Sequence, residues 1–112
     1  MSMKSMSVAA LQTALDSGNA PLVIDVRRQE AFIKDPKTIA GALRREPDRV
    51  TEWMGGLPKT DRIVVVCVHG HEVSQGVCRA LAAQGYDAHF LEGGLSAWHA
   101  AGGACDSKPK GA

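Results

Sequence analysis

Charge of one sign, aromatic side chains and long apolar runs are all scarce in this sequence. Its 13 lysines and arginines are nearly balanced by 12 aspartates and glutamates, and only 4% of its residues are aromatic. Nucleic-acid binding usually needs a basic excess on one face, and base stacking needs aromatic rings, so no nucleic-acid partner is expected. The longest strongly apolar stretch, IVVVCV at residues 63–68, is far too short to span a membrane, so no membrane partner is expected either.

Cysteine is scarce as well: the sequence has three, Cys67, Cys78 and Cys105. An odd number at irregular spacing does not fit a disulfide framework, and reduced thiols in the cytoplasm are the simpler interpretation. The first residues, MSMKSMS, also lack the apolar run of a signal peptide. The sequence therefore predicts a cytoplasmic protein and leaves its oligomeric state open. We expect Cys78 to pack inside the protein and Cys105 to be a spectator near the end of the chain.

The sequence does contain enough apolar residues for one packed core. With 112 residues, of which 45% are hydrophobic, the chain suits a single domain, and wholesale disorder is not expected. We place the core of residues 1–112 at about 5–102. The residues from 103 to 112 are rich in Gly, Lys, Ser and Pro, and we expect them to form a flexible tail.

Helix-type and strand-type patterns alternate along the chain. Ser7 is typical of a helix N-cap ahead of VAALQTALD, and the run LVIDV is typical of a buried strand. The full pattern predicts helices near 8–17, 27–34, 47–56, 73–84 and 95–101, strands at 21–26, 61–68 and 88–91, and a short extended segment after a turn at 39–43. Such alternation predicts an α/β fold, a central parallel β-sheet flanked by helices on both faces. Functional sites in these sheets form at the carboxyl ends of the strands.

Cys67 stands at the end of the most apolar predicted strand, and the segment VHGHE separates it from the next helix. A short loop that curls toward a helix N-terminus points several backbone N–H groups inward, and Gly70 gives such a loop the freedom it needs. These groups would stabilise a thiolate and would hold a bound anion or the outer sulfur of a persulfide, with no metal or cofactor required. The alternative is that Cys67 is a small buried core residue with no chemical role.

Four segments, in order, carry a resemblance to a known family. LVIDVRRQEAF is similar to a first signature in which an Asp-x-Arg pair follows a strand, and TIAGAL is similar to a His-Ile-Pro-Gly-Ala segment. VVVCVHGHEVS resembles an active-site Cys-x-x-Gly-x-Arg-Ser loop, and LEGGLSAW resembles a Leu-x-Gly-Gly-x-x-x-Trp signature. The chain thus resembles single-domain rhodanese-like sulfurtransferases over about residues 5–102.

The resemblance implies a sulfurtransferase in which Cys67 is the nucleophile that carries sulfur as a persulfide. Sulfane sulfur would pass from a small donor, thiosulfate or a persulfide, to a thiol or cyanide acceptor. The amides of the loop would cradle the substrate, so the residues expected to bind it include the six that follow the cysteine. These are Val68, His69, Gly70, His71, Glu72 and Val73.

Glu72 departs from the family pattern, which has arginine at this position of the loop. Arginine would form forked hydrogen bonds to an oxyanion such as thiosulfate, whereas glutamate reverses the charge. On one interpretation Glu72 simply stabilises the helix N-terminus, by roughly 0.3–1 kcal/mol. On the other, it makes the site discriminate against dianionic thiosulfate and favour a low-molecular-weight or protein persulfide as the donor.

Arg27 and Arg44 are the predicted replacements for the missing positive charge, with Arg45 as a further candidate. Arg27 belongs to the Asp-x-Arg signature, and the other two follow the TIAGAL segment, which borders the active-site mouth in the family. The alternatives are an ion pair of Arg27 with Asp25 or Glu30, and plain surface solvation of Arg44 or Arg45.

His69 and His71 are unusual neighbours for a nucleophile. In the protonated form they would help to hold a thiolate, and in the neutral form they could move a proton; the alternative is two exposed loop histidines without a role. Their alternation along the loop predicts that at most one faces the sulfur. Together with Cys67 and Glu72 they match no standard zinc spacing, so no metal site is expected.

Two other functions are compatible with such a loop. A phosphatase or arsenate reductase of this fold uses Cys-x5-Arg, but the sixth residue after Cys67 is Val73 and the loop contains no arginine. A non-catalytic binding module in which Cys67 is a redox-sensitive thiol is the stronger alternative. Mass spectrometry after exposure to a sulfur donor separates sulfur transfer from simple oxidation.

Overall fold

A five-stranded parallel sheet lies at the centre of the computed structural model, which describes residues 4–107. Along the chain the elements are β1 (Lys4–Met6), α1 (Val8–Asp16), β2 (Leu22–Asp25), α2 (Gln29–Lys34), β3 (Thr38–Ile39), β4 (Leu43–Arg44), α3 (Val50–Trp53), β5 (Arg62–Val66), α4 (Glu72–Ala83), β6 (Asp87–Leu91), α5 (Gly94–Ala100) and β7 (Cys105–Asp106). The sheet has the strand order β1-β6-β5-β2-β4, and β3 pairs with β7 in a separate antiparallel sheet.

Both faces of the parallel sheet are buried under helices. Val64 of β5 packs in a cluster with Leu11 of α1 and Trp98 of α5, whereas its neighbour Val65 packs on the other face with Leu81 of α4. This burial on both sides explains why β5 is apolar along its length rather than alternating. It confirms the α/β fold with a helix-covered parallel sheet. Among the helices of residues 4–107, none is long and apolar enough to cross a membrane.

Most of the predicted elements are present, with boundaries shifted by a few residues. The Ser7 side chain accepts a hydrogen bond from the Ala10 backbone N–H, as expected of an N-cap. The single helix predicted near residues 47–56 is instead one α-helical turn, α3, between two 3₁₀ turns at Pro47–Arg49 and Met54–Gly56. The glycines at the end of this segment disfavour continuation of a helix.

The strands at the two ends of the described chain, β1 and β7, are not anticipated by the sequence. β1 pairs in parallel with β6, and β7 pairs with β3, where Asp106 also accepts a hydrogen bond from the Gly41 N–H. The tail predicted to be flexible is therefore paired at Cys105–Asp106, and residues 108–112 of it lie outside the described residues. Main-chain pairing depends little on side-chain polarity, so a polar composition hides it.

The register of β2 and β5 brings two chain segments together at one edge of the sheet. Asp25 at the end of β2 lies opposite Val66 at the end of β5, and the strands run in the same direction. The segments that follow, residues 26–28 and 67–71, therefore leave the sheet side by side. This is the carboxyl edge, where parallel sheets carry their sites.

Candidate active site

Cys67 is the first residue after β5, and its side chain lines a cavity of about 280 Å³. The residue is 5% exposed, and its Sγ lies 3.1 Å from the Oγ of Ser74 in the first turn of α4. The thiol is therefore screened from bulk water while it remains open to a small ligand. That position suits a nucleophile, whereas a packing cysteine would be enclosed by apolar atoms alone.

In the segment after β5, the carbonyl groups of Cys67 and Val68 are hydrogen-bonded, whereas among the described residues the backbone N–H groups that follow are not. The Cys67 and Val68 carbonyls accept hydrogen bonds of 2.8 and 2.9 Å from the N–H groups of Leu95 and Ser96 in α5. Within residues 4–107, no backbone N–H from 68 to 74 donates to a protein acceptor. The C=O and N–H of a trans peptide point in opposite directions, so the N–H groups of Val68 and His69, which share peptides with these two carbonyls, point away from α5. Backbone N–H groups left free at the start of a helix can hold an anion.

Two glycines allow the loop to lie directly against the start of α5. Gly70 and Gly94 have φ angles of +72° and +59°, which L-residues with side chains seldom adopt. A Cβ on Gly94 would overlap the Cys67 carbonyl oxygen, and one on Gly70 would overlap the Leu91 carbonyl oxygen. The close backbone contact between the loop and the start of α5 therefore depends on both glycines.

Glu72 is the first residue of α4, and its exposed side chain contributes to the wall of the cysteine cavity. No side chain caps this helix, because the preceding residue, His71, makes no capping hydrogen bond. A carboxylate at this end stabilises the helix through its dipole. The structure thus places Glu72 where the first interpretation expects it, and its effect on donor choice remains a prediction.

His69 and His71 both line the cavity and are both exposed. Their ring centroids are 6.4 Å apart, and the Nδ1 of His69 lies 3.2 Å from the Oγ of Ser96. Among the described residues, the Cys67 thiol has no hydrogen bond to either ring. No group of three or more His, Cys, Asp or Glu side chains in this part of the chain is arranged to hold a metal ion.

Arg27 is buried at 2% exposure, and its guanidinium forms a two-pronged ion pair with Asp25. Further hydrogen bonds run to the carbonyl groups of Asp35 and Lys37, at 2.6 and 3.0 Å. The structure thus shows the alternative stated for Arg27, an ion pair with Asp25, and not a free cation that replaces the missing loop arginine. The side chain also lines the cysteine cavity, but its nitrogen atoms already have acceptors, so its observed work is to hold β2 against the segment after α2.

Arg44 lies apart from the cysteine cavity, which it does not line. Its guanidinium pairs with Glu46 at 2.7 Å and stands over the Phe32 ring, 4.9 Å from the centroid. Its neighbour Arg45 donates to the Arg44 carbonyl. The structure therefore does not bring either residue to the thiol, because β4 is the edge strand and β2 separates it from β5.

Three residues of the site escape the sequence analysis: Ser74, Arg28 and Ala31. The last two line the cysteine cavity from the start of α2. A signal for Ser74 exists, because it shares a helix face with the buried Val77 and Cys78, where a polar residue needs a partner. Arg28 could have been found because it follows β2, and segments that follow neighbouring parallel strands meet at one edge of the sheet.

The other two cysteines lie away from the cavity. Cys78 is 1% exposed on the inner face of α4, and burial raises the pKa of its thiol. Cys105 is half-buried beside His99, with 3.6 Å between Sγ and Nδ1, and burial raises its thiol pKa as well. The expected packing role of Cys78 is confirmed. A raised pKa keeps both groups protonated at neutral pH, which makes them poor nucleophiles.

Comparison with known proteins places the chain in a family. The family model described as a rhodanese-like domain matches residues 7–101. The chain is 31% identical over 110 residues to "Putative sulfurtransferase YtwF" of Bacillus subtilis (strain 168), with 98% of this chain and 99% of that protein covered. It is 32% identical over 101 residues to "Thiosulfate sulfurtransferase GlpE" of Shewanella oneidensis, with 89% of this chain and 96% of that protein covered.

The fold has a counterpart among solved structures. A rhodanese-related protein of Thermoplasma volcanium superposes with a TM-score of 0.81 at 24% identity, and the match covers 94% of this chain and 99% of that one. At this level of identity the likeness concerns the fold. It agrees with the parallel sheet and flanking helices described above.

Proposed function

The chain belongs to the family of rhodanese-like domains, and from that premise we propose that it transfers sulfane sulfur through a persulfide on Cys67. The family and its sulfurtransferase relatives give the general class of reaction. The observation that carries the proposal is a thiol lining a cavity beside seven backbone N–H groups, residues 68–74, that have no acceptor among residues 4–107. Negative charge on sulfur is stabilised in such a place without any further group.

In the first half-reaction the Cys67 thiolate attacks the outer sulfur of the donor. A new S–S bond forms to Cys67 while the S–S bond of the donor breaks, and its electron pair leaves with the remaining fragment. From a protonated persulfide RSSH, the leaving fragment is the thiolate RS⁻, and the proton is released to the solvent. From thiosulfate, the leaving fragment is sulfite. The product is a Cys67 persulfide whose outer sulfur carries the negative charge that the loop amides receive.

In the second half-reaction an acceptor removes that outer sulfur. A thiolate takes it to become a persulfide, or cyanide takes it to become thiocyanate, and the Cys67 thiolate is restored. No electrons are gained or lost over the cycle, so it needs no redox cofactor. Each step passes through a covalent enzyme intermediate, and ping-pong kinetics are expected.

The six residues from Val68 to Val73 form the binding part of the proposed site. Val68, with its side chain in the cavity wall, contributes an N–H group, as do His69 and His71. Gly70 allows the curl. Arg27 supports the wall from behind and is assigned no direct hydrogen bond to substrate, because its buried ion pair occupies it.

Glu72 is proposed to select the donor. Glu72 borders the cavity, so a donor with two negative charges on a compact head, such as thiosulfate, should meet repulsion there. A persulfide carries less charge at its reacting end. Persulfide formation with glutathione persulfide should therefore exceed that with thiosulfate in the wild type, and Glu72→Arg should shift the ratio toward thiosulfate. A wild type that reacts equally well or better with thiosulfate contradicts this selection.

The proposed function is tested by intact-mass spectrometry after incubation with a persulfide donor. The expected result is a gain of one sulfur atom that cyanide removes with release of thiocyanate. Cys67→Ser should abolish the gain, and the matched variant Cys105→Ser should retain it. A wild type that gains only oxygen would instead favour the redox-sensing binding module.

A further inference from the structure

A second groove, with charges of both signs, adjoins the cysteine cavity. It lies between the 3₁₀ turn Pro47–Arg49 and α4, and it has a volume of about 340 Å³. Its charged residues are Arg28, Asp48, Glu72 and Arg79. We call this the charged groove. Two of these residues, Arg28 and Glu72, also line the cysteine cavity, so the two spaces share a wall.

The ion pair in the charged groove is open to exchange. Arg28 and Asp48 are 3.0 Å apart, and their side chains are 59% and 73% exposed. An exposed pair of this kind is worth little, so a ligand with matching charges can replace either partner at low cost. By contrast, the other arginine near the thiol, Arg27, is held in a buried pair at 2% exposure. Arg28 is thus the exchangeable cation beside the thiol.

We propose that the charged groove binds the head group of a zwitterionic sulfur donor, a persulfide of an amino-acid thiol that carries both an ammonium and a carboxylate. The donor carboxylate binds Arg28 in place of Asp48, and the donor ammonium binds Glu72 and the released Asp48. This inference rests on the proposed function and names its donor class. It assigns to Arg28 and Glu72 the choice between donors.

The arrangement of the two spaces fits such a donor better than a simple anion. The cysteine cavity has Ala31, Val68 and Val73 in its wall, which suits a methylene and a sulfur chain. Val73 also lines the charged groove. There, a head group with one carboxylate and one ammonium can replace the ion pair of Arg28 and Asp48 with two new ion pairs, one to each residue. A dianion carries no group that could pair with the carboxylates of Asp48 and Glu72, which lie beside the arginines of the groove.

The test is a charge series of small persulfides, used in single-turnover loading of Cys67 so that the acceptor step is excluded. Apart from the persulfide group that all four share, the persulfides of cysteine, cysteamine, mercaptopropionate and mercaptoethanol carry respectively both charges, the ammonium alone, the carboxylate alone, and neither. The wild type should load fastest with cysteine persulfide. Arg28→Gln should slow loading by roughly fivefold with the two carboxylate donors and not with the other two.

Glu72→Gln should give the complementary pattern: it should slow loading by roughly fivefold with the two donors that carry an ammonium and should not slow it with the other two. Arg49→Gln is the matched control. It removes an arginine from an exposed pair with Glu52, outside the charged groove, and changes the net charge by the same amount as Arg28→Gln. It should leave all four rates as in the wild type.

The outcomes separate this inference from the proposed function. One outcome is that mercaptoethanol persulfide loads Cys67 while Arg28→Gln and Glu72→Gln load at the wild-type rate with every donor. In that case the charged groove is not a donor site, and the sulfurtransferase proposal stands. If Arg28→Gln slows all four donors alike, the groove assignment is also overturned, because the effect is then general. If no donor loads Cys67, both proposals are wrong.

Discussion

At the scale of single residues, the contact between Cys67 and Ser74 is the one closest to the proposed chemistry. Their Sγ and Oγ atoms are 3.1 Å apart, and both residues are buried. A hydroxyl can turn its hydrogen toward a thiolate, so Ser74 adds a side-chain donor to the amides of the loop. It lies within the first turn of α4, where the helix dipole acts in the same sense.

Ser74→Ala should slow the alkylation of Cys67 by iodoacetamide at neutral pH by about tenfold, because the thiolate loses a hydrogen bond worth roughly 1.5 kcal/mol. Peptide mapping by mass spectrometry at timed intervals gives the rate for each cysteine. Cys105 in the same sample is the internal control, and its rate should not change. Equal Cys67 rates in the two proteins would show that the hydroxyl does not support the thiolate.

The ion pair of Arg27 with Asp25 should make a large contribution to the free energy of unfolding. Arg27→Gln leaves the Asp25 carboxylate buried without its partner, and we expect a loss of about 3–5 kcal/mol in urea unfolding. Arg49→Gln, which breaks an exposed pair with Glu52, should cost less than about 1 kcal/mol. Similar losses for the two variants would contradict the structural role given to Arg27.

At the scale of elements, the segment after β5 forms hydrogen bonds with the N-terminus of α5. α5 begins at Gly94 without a side-chain cap, so its first N–H groups need acceptors. The carbonyls of Cys67 and Val68 supply them through Leu95 and Ser96. The helix is thereby capped by the loop, and the loop is held with its own N–H groups free.

Gly94→Ala should damage both stability and sulfur loading, because its Cβ would overlap the Cys67 carbonyl. Gly102→Ala is matched, since Gly102 also has a positive φ, +73°, but a Cβ there meets nothing within 4 Å. The control should cost about 1 kcal/mol of unfolding free energy from backbone strain alone. Gly94→Ala should cost roughly 1–3 kcal/mol more and should slow loading of Cys67. Equal effects in urea unfolding and loading assays would argue against the tight contact.

At the scale of the whole molecule, both ends of the described chain are tied to the same core. The family match spans residues 7–101, whereas β1 precedes it and β7 follows it. Met6 of β1 belongs to the core cluster under α1 and α5, and Cys105 of β7 packs against that cluster. As a result β6 is flanked by strands on both sides, and its side chains are partly shielded from water.

His89 on β6 should make the protein less stable in mild acid. It lies opposite Lys4 of β1, and burial, with Lys4 and Arg62 adding to it, lowers its pKa below the ordinary value although Asp87 acts in the other direction. Below about pH 6.5 the unfolded state therefore binds more protons at this residue than the folded state, and the unfolding free energy falls as the pH falls.

Urea unfolding at a series of pH values between 7.5 and 5 measures this effect. His89→Gln should reduce the slope of unfolding free energy against pH in this window. His71→Gln, which removes an exposed histidine, is the control and should keep the slope of the wild type. An unchanged slope in His89→Gln would show that burial of this ring does not govern the acid response.

The location of Cys67 and of its loop could be predicted because their signals are local in the sequence. An apolar strand, a cysteine, a glycine and a helix start follow one another within a dozen residues, and the structure has them in that order. The prediction that Arg44 lies at the site is wrong, because its position depends on the order of the strands in the sheet. β4 is next to β2 and not next to β5, which leaves Arg44 with Glu46 and brings Arg28 to the cavity instead.

The sequence by itself determined the alternating elements, the helix-covered parallel sheet and the cysteine at a strand end. Apolar periodicity and turn residues act between neighbours in the chain, so they can be recognised without coordinates. Only the tertiary structure decided that Ser74 contacts the thiol, that Arg27 is buried in an ion pair, and that β1 and β7 pair at the edges. Those contacts depend on which strands lie side by side and on how side chains pack between them, and that is set by burial over the whole molecule.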